Sequence, residues 1–221
     1  MLEEILKRGY GRIVGLDLSW NATGWAARDG SSGKIQFGAL PAVGGSDVER
    51  LDTVLNGVLG LVDGSTLVIL EDFAFARGNV AHQLGGLGYL VRHALWRAQI
   101  PFILVGPKQR SKFCTGNGNA KKEHILKDVF KRYGIDTNDH NAADAVVLNM
   151  IGQSFLGWYQ VQHQFEGEVL EAIHKSYTGG ARSKVKKAKK TKKEDVTIGT
   201  PLSRFDVPPS PARRRTKPVA A

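Results

Sequence analysis

The chain has a single cysteine, Cys114, among 221 residues. A disulfide framework and a thiolate metal cluster are therefore both excluded. No apolar run is long enough to span a membrane as a helix, and the opening residues MLEEILKRGYGR lack the apolar segment of a secretion signal. The default expectation is a cytoplasmic protein with no membrane partner. Excess positive charge is also missing from most of the chain. Residues 1–174 carry 17 Lys and Arg against 18 Asp and Glu, whereas residues 175–221 carry 14 against 3. The net charge of +10 thus resides entirely in the last fifth. That segment reads as an electrostatic arm for a polyanion, and nucleic acid is the commonest such partner.

What is present is enough for one filled core, since 42% of the residues are hydrophobic. Residues 12–18 (RIVGLDL), 22–29 and 34–40 read as three strands, with GSSG at 30–33 as the turn between the last two. Their close succession predicts an antiparallel meander. Helical spacing of Val48, Leu51, Val54, Leu55, Val58 and Leu59 predicts a helix over 47–62. A buried strand follows at 66–71 (TLVILE), then a helix at 79–98, a strand at 102–105, and helices at 121–133 and 139–156. The helix at 79–98 contains Gly85, Gly86 and Gly88, which cost helix propensity and suit a close backbone approach or an interruption. Asp139 or Asn141 is placed to cap the last helix. The order βββ-α-β-α-β-α-α predicts an α/β mixed sheet of five strands covered by helices.

The expected organisation is a globular domain over 11–158, an extension over 159–179, and a Lys-, Arg- and Pro-rich tail over 180–221. The stretch 158–174 fits either a helix or an added strand. Residues 180–193 resemble a disordered basic linker. Residues 201–211, with four prolines, fit a docking segment or further disorder.

Three carboxylates lie where charge is costly. Asp17 interrupts the apolar strand GLDLS, Glu71 ends LVILE, and Asp144 sits inside the apolar helix NAADAVVL. Apolar runs seldom carry a charge without a partner. Three acids brought together would repel unless a cation neutralised them, and oxygen ligands alone select a hard ion such as Mg²⁺, with Mn²⁺ as substitute. Two such ions can hydrolyse a phosphodiester. Taken singly, each acid also fits a strand-end, capping or ion-pairing role. Asp17 and Glu71 are 54 residues apart, so their meeting is an expectation about the fold. Asp72, next to Glu71, would face the opposite side of the strand and is read as solvent-facing.

These segments, in this order, resemble the RuvC-like Holliday junction resolvases of bacteria and phages. GLDLSWNATGWA resembles that family's first strand and hairpin. VILEDFAF resembles the strand carrying its second carboxylate. GNGNAKKEHI resembles its glycine- and lysine-containing loop, and HNAADAVVLNM its final helix. The resemblance spans about residues 12–157 and implies an RNase H-like fold. It implies that Asp17, Glu71 and Asp144 are metal ligands for two Mg²⁺ ions, and that Lys122, with Lys121 as the alternative, contacts the scissile phosphate or the attacking water. The chain departs from the family three residues before Asp144. Many members have an acid or His there, and this chain has Asn141. Asn141 as a weak ligand, His140 and Asp139 are the alternatives for that fourth position.

The resemblance further implies an endonuclease that resolves four-way junctions by paired symmetrical nicks, leaving 5′-phosphate and 3′-hydroxyl ends. Paired nicks require two identical sites, hence a homodimer, with the helix at 79–98 as the expected contact. Phe73 or Phe75 is expected to probe the junction centre by stacking on an unpaired base, with packing into the core as the alternative for each. Arg77, Arg110, Lys112 and Lys121 are expected DNA contacts. A broader debranching nuclease, an RNase H-type ribonuclease and a non-catalytic branched-DNA-binding protein are the alternatives.

Overall fold

Alternation along two strands decides which side chains can meet. In the first strand, β1 (Arg12–Asp17), Ile13 packs into one core while Val14 and Leu16 pack into another on the opposite face. In the strand beside it, β4 (Thr66–Glu71), Leu67 and Ile69 join the first core, and Val68 and Leu70 the second. Odd positions on both strands therefore face the same side. Asp17 and Glu71 fall on that side.

The computed structural model describes residues 2–72 and 79–178. Phe73, Phe75 and Arg77 lie outside these residues, as does the tail from 180 onward. The described residues fall within one compact unit. Its sheet has five strands in the order β3-β2-β1-β4-β5. The meander expected from the sequence is present: β1 pairs antiparallel with β2 (Ala22–Asp29), which pairs antiparallel with β3 (Ile35–Pro41). The register of β1 with β4 is parallel, Leu16 opposite Leu70, and β4 pairs parallel with β5 (Phe102–Val105). This is the mixed α/β sheet that the order of elements predicts.

Helices cover both faces. On the second-core side lie α2 (Asp47–Gly60), through Val54 and Val58, and α3 (Asn79–Arg97), through Leu87, Val91 and Leu95. Ser46 and Glu49 form a capping box at the start of α2. Val48 belongs to the expected apolar face of this helix, but it is 74% exposed. It lies in the first turn, and Leu59 of the same expected face is 36% exposed in the last, so the helix buries its middle, through Val54 and Val58. Gly85 and Gly86 of α3 have nothing within 4 Å of where a Cβ would stand. The close backbone approach expected for them does not occur within the described chain.

The first-core side is built around α6 (His140–Phe155), in which every residue from Ala142 to Gln153 is buried. Such a helix is central, and the three polar residues it buries, Asp144, Asn149 and Gln153, need partners inside the protein. Two glycines let it lie directly on the sheet. A Cβ on Gly15 would stand 2.3 Å from the Ala145 carbonyl oxygen, and one on Gly24 only 2.0 Å from that of Asn141. Asn149 adds hydrogen bonds from its Nδ2 to the carbonyls of Ile13 and Ala26, at 2.9 and 3.1 Å. Gly24→Ala is expected to force α6 off the hairpin and to destabilise the fold by about 1–3 kcal/mol or more. Thermal unfolding checks this, and an unchanged Tm would show that α6 can yield without cost.

Three further elements complete the domain. A short helix α1 (Leu2–Leu6) buries Leu2. Immediately after β5 comes α4 (Pro107–Thr115), begun by Gly106 and by Pro107 at its first turn. After α5 (Lys122–Tyr133) and α6, the open segment forms α7 (Gln164–Thr178), whose Val169 and Ile173 enter the same core as α6. Glu166 at its start is fully buried, paired with Arg132 of α5, and accepts from the backbone N–H of Gln162 and His163 at 2.6 and 2.9 Å. Among the described residues, no helix is long and apolar enough to cross a membrane.

Candidate active site

The parallel register places Asp17 and Glu71 side by side at the C-terminal ends of adjacent strands, where ligands of open α/β sheets gather. The helix α6, held down over Gly15 and Gly24, supplies Asp144 from above. All three side chains are largely buried, between 6% and 15% exposed. Sequence reasoning expected these three acids to meet, and the fold brings them together around one cation. That cation is Arg110, from the first turns of α4. Its Nη1 lies 2.6 Å from Asp144 Oδ2, 2.7 Å from Glu71 Oε2 and 3.9 Å from Asp17 Oδ2.

Burial sets the electrostatics. It pushes Asp17 up to about 7, with Arg110 pulling back and Asp144 adding to the rise. It pushes Glu71 up to about 8, with the Asp17 charge adding to the rise and Arg110 opposing it. Asp144 is raised as well, by burial, against the pull of Arg110 and Lys122. These carboxylates are short of positive charge. Linkage then fixes the sign of a pH effect. Asp17 and Glu71 hold protons more tightly in the folded state than in the unfolded one. The stability they contribute is present at acid pH and is lost as pH rises through about 7 to 8. Without divalent metal, Tm is expected to fall by a few degrees between about pH 6 and pH 8.5, less so in Asp17→Asn. Added Mg²⁺ should restore it at the higher pH. Differential scanning fluorimetry in chelator reads this directly, and a Tm independent of pH in both proteins would contradict it.

The remaining expected residues separate into groups. Lys122 opens α5, is exposed, and stands close enough for its charge to lower all three carboxylates. Lys121 is the exposed N-cap of the same helix, with no side-chain cap bond. Asp139 caps α6, accepting from the N–H of Asn141 and Ala142 at 2.8 and 3.1 Å. Asn141 donates from Nδ2 to the Ala22 carbonyl at 2.8 Å, which leaves Oδ1 for any other partner. The Nδ1 of His140 is buried without a hydrogen-bond partner, and its ring acts electrostatically on Asp144. Lys112 points elsewhere, pairing with Glu168 of α7 at 2.7 Å. Asp72 faces the opposite side of the sheet, as its parity requires, and pairs with Arg92 of α3 at 2.6 Å.

The donor set suits a hard divalent ion: three carboxylate oxygens converge on a single positive centre, and no thiolate competes. Burial pushes the Cys114 thiol up to about 12. Among the described residues no three Asp, Glu, His or Cys stand as a ready-made metal site, and Arg110 lies between the carboxylates. The sequence points to Arg110 as a DNA contact and does not foretell this position among the acids. The available signal was the Gly-Pro helix start directly after a strand, which aims the next turn back across the strand ends.

No protein-family model matches the chain. A crossover junction endodeoxyribonuclease RuvC from Synechococcus sp. (strain CC9311) is 26% identical over 164 residues, covering 67% of this chain and 99% of that protein. Among solved structures, Thermus thermophilus RuvC superposes with a TM-score of 0.53 at 20% identity, over 66% of this chain and 96% of that one. T. thermophilus RuvC in complex with Holliday junction substrate gives 0.55 at 21% identity, over 67% and 97%. The fold is that of RuvC. The sequence relationship to that resolvase is remote, and it extends over almost the whole length of the curated relative.

Proposed function

We propose that this chain is a divalent-metal-dependent endonuclease that resolves four-way DNA junctions by paired nicks. The observation that carries the reading is the convergence of Asp17, Glu71 and Asp144, from two adjacent strands and one central helix, on a single cation. Asp17, Glu71 and Asp144 would hold Mg²⁺, with Asn141 or His140 filling a fourth, weaker position. Held there, two such ions would supply an activated water and stabilisation of the departing 3′-oxygen. The chain's own residues do the rest. Lys122, beside the carboxylates and open to solvent, receives the scissile phosphate. The buried walls of the site keep the carboxylates fixed and largely dry. Hydrolysis by water leaves a 5′-phosphate and a 3′-hydroxyl.

Dimerisation supplies two such sites. The outward side of α3 supports this, with Gly85 and Gly86 open and Tyr89 and Trp96 exposed at 66% and 69%. Phe73, Phe75 and Arg77, directly after Glu71, and the basic tail add contacts to branched DNA, the tail with little sequence discrimination. The test is cleavage in Mg²⁺ of four-way junctions, forks, flaps, plain duplex and RNA–DNA hybrid. Symmetrical nicks confined to the four-way junction are expected. Cutting spread over forks and flaps would make the chain a general debranching nuclease, and cutting of the hybrid would make it a ribonuclease.

A further inference from the structure

Arg110 occupies the place where a metal ion is expected. Its helix is rigidly launched: β5 pairs with β4 so that Val105 stands opposite Glu71, and Gly106 and Pro107 begin α4 at once. The Gln109 side chain accepts from the Gly106 N–H at 2.8 Å, and the Arg110 N–H bonds back to the Gly106 carbonyl at 3.0 Å. The base of the arginine is thus fixed, and its side chain is only 11% exposed. A single nitrogen, Nη1, meets both Glu71 and Asp144, while Nε is buried with no hydrogen-bond partner. Glu71 Oε2, despite its short distance, is not aligned for a hydrogen bond. A guanidinium engaged through one corner forgoes the bidentate geometry that makes arginine a strong carboxylate partner. One positive charge set against three carboxyl groups holds the site incompletely.

We propose that Arg110 is the resident counterion of the carboxylate site, that a divalent ion must displace it to bind, and that the released guanidinium passes to a phosphate of bound DNA. This rests on the reading of the three acids as metal ligands. Glu71 Oε2 and Asp144 Oδ2, which Nη1 faces at 2.7 and 2.6 Å, cannot face both cations at once. Mg²⁺ requires ligands at roughly 2.1 Å, and Nη1 stands at the point where the oxygens converge. Two consequences follow. Metal binds weakly to the free protein, because an ion pair is broken first. DNA strengthens metal binding by giving Arg110 another anion, and metal strengthens DNA binding by the same factor. The free protein is thereby kept from loading its site before substrate arrives.

The test measures Mn²⁺ binding to full-length wild type and Arg110→Gln by the electron paramagnetic resonance of free Mn²⁺, with and without a short DNA duplex. The variant is expected to bind Mn²⁺ about tenfold or more tightly than wild type in the absence of DNA. DNA should tighten binding in the wild type and have much less effect in the variant. Equal or weaker binding by the variant overturns the proposal. If neither protein binds Mn²⁺ with or without DNA, the metal-site reading itself fails. Removing the arginine risks unfolding the metal-free variant, so a second readout uses the wild type alone. The buried Arg110 Nε–H should give a slowly exchanging NMR signal, assigned by its loss in Arg110→Lys. Saturating Mg²⁺ should shift that signal or abolish its protection. Persistence of the signal unchanged in Mg²⁺ overturns displacement.

Discussion

Asp17→Asn is expected to reduce Mg²⁺-dependent cutting by at least about 10²–10³-fold, the range found for removing one electrostatic contact in other hydrolases, while junction binding persists. The substitution keeps the size and shape of the side chain and removes only its charge. The strand register that positions residue 17 beside Glu71 involves backbone groups alone, so it is unaffected. The residues proposed to contact DNA are other side chains, on α4 and α5, in the segment after Glu71 and in the tail. A second consequence separates lost chemistry from lost structure. Burial raises Asp17 to about 7, so its ionised form is held at a cost in the metal-free protein. The neutral amide relieves that cost, and Tm in chelator should stay level or rise near neutral pH. Cutting at the wild-type rate would remove Asp17 from the mechanism. Loss of cutting together with a large fall in Tm would make the effect structural.

Glu166→Ala is expected to destabilise the fold by about 3–5 kcal/mol, the cost of leaving one partner of a buried ion pair alone. Glu166 is fully buried and pairs with Arg132, which also donates to the carbonyls of Phe113 and Cys114 at the end of α4. The same carboxylate satisfies two N–H groups at the start of α7 and receives the Tyr159 hydroxyl at 3.3 Å. Truncation therefore uncaps α7, strands the guanidinium, and loosens the joint between α4, α5 and α7. For a domain of this size, each kcal/mol shifts Tm by about 2–4 °C, so a drop on the order of 10 °C is expected. A change of only a degree or two would mean that water replaces the carboxylate freely.

Much of this site was legible in the sequence because charge inside apolar runs is rare. Asp17, Glu71 and Asp144 each broke a local hydrophobic pattern, and strand parity separated Glu71 from Asp72. Their meeting depended on a parallel register across 54 residues and on two glycines that bring α6 against the hairpin. Neither is a local property. The helix α4 went unread because nine residues of PKQRSKFCT carry too short an apolar repeat, although Gly106-Pro107 marked its start. From the sequence alone Arg110 is an expected DNA contact, which implies exposure. Its burial is dictated by acids that only the folded sheet assembles. The segment from 158 onward was ambiguous for a related reason. Val169 and Ile173 have helical spacing, but Glu166 reads as solvent-facing until Arg132, 34 residues earlier, becomes its partner.

The most direct measurement is end analysis of a four-way junction incubated with the full-length protein, in Mg²⁺ and in chelator. Paired nicks in strands of like polarity, appearing only with Mg²⁺ and sealed by DNA ligase without further treatment, are the expected result. They would require both metal-assisted hydrolysis and two coordinated sites. An intact junction under both conditions, bound but uncut, would contradict the assignment and leave a junction-binding protein in its place.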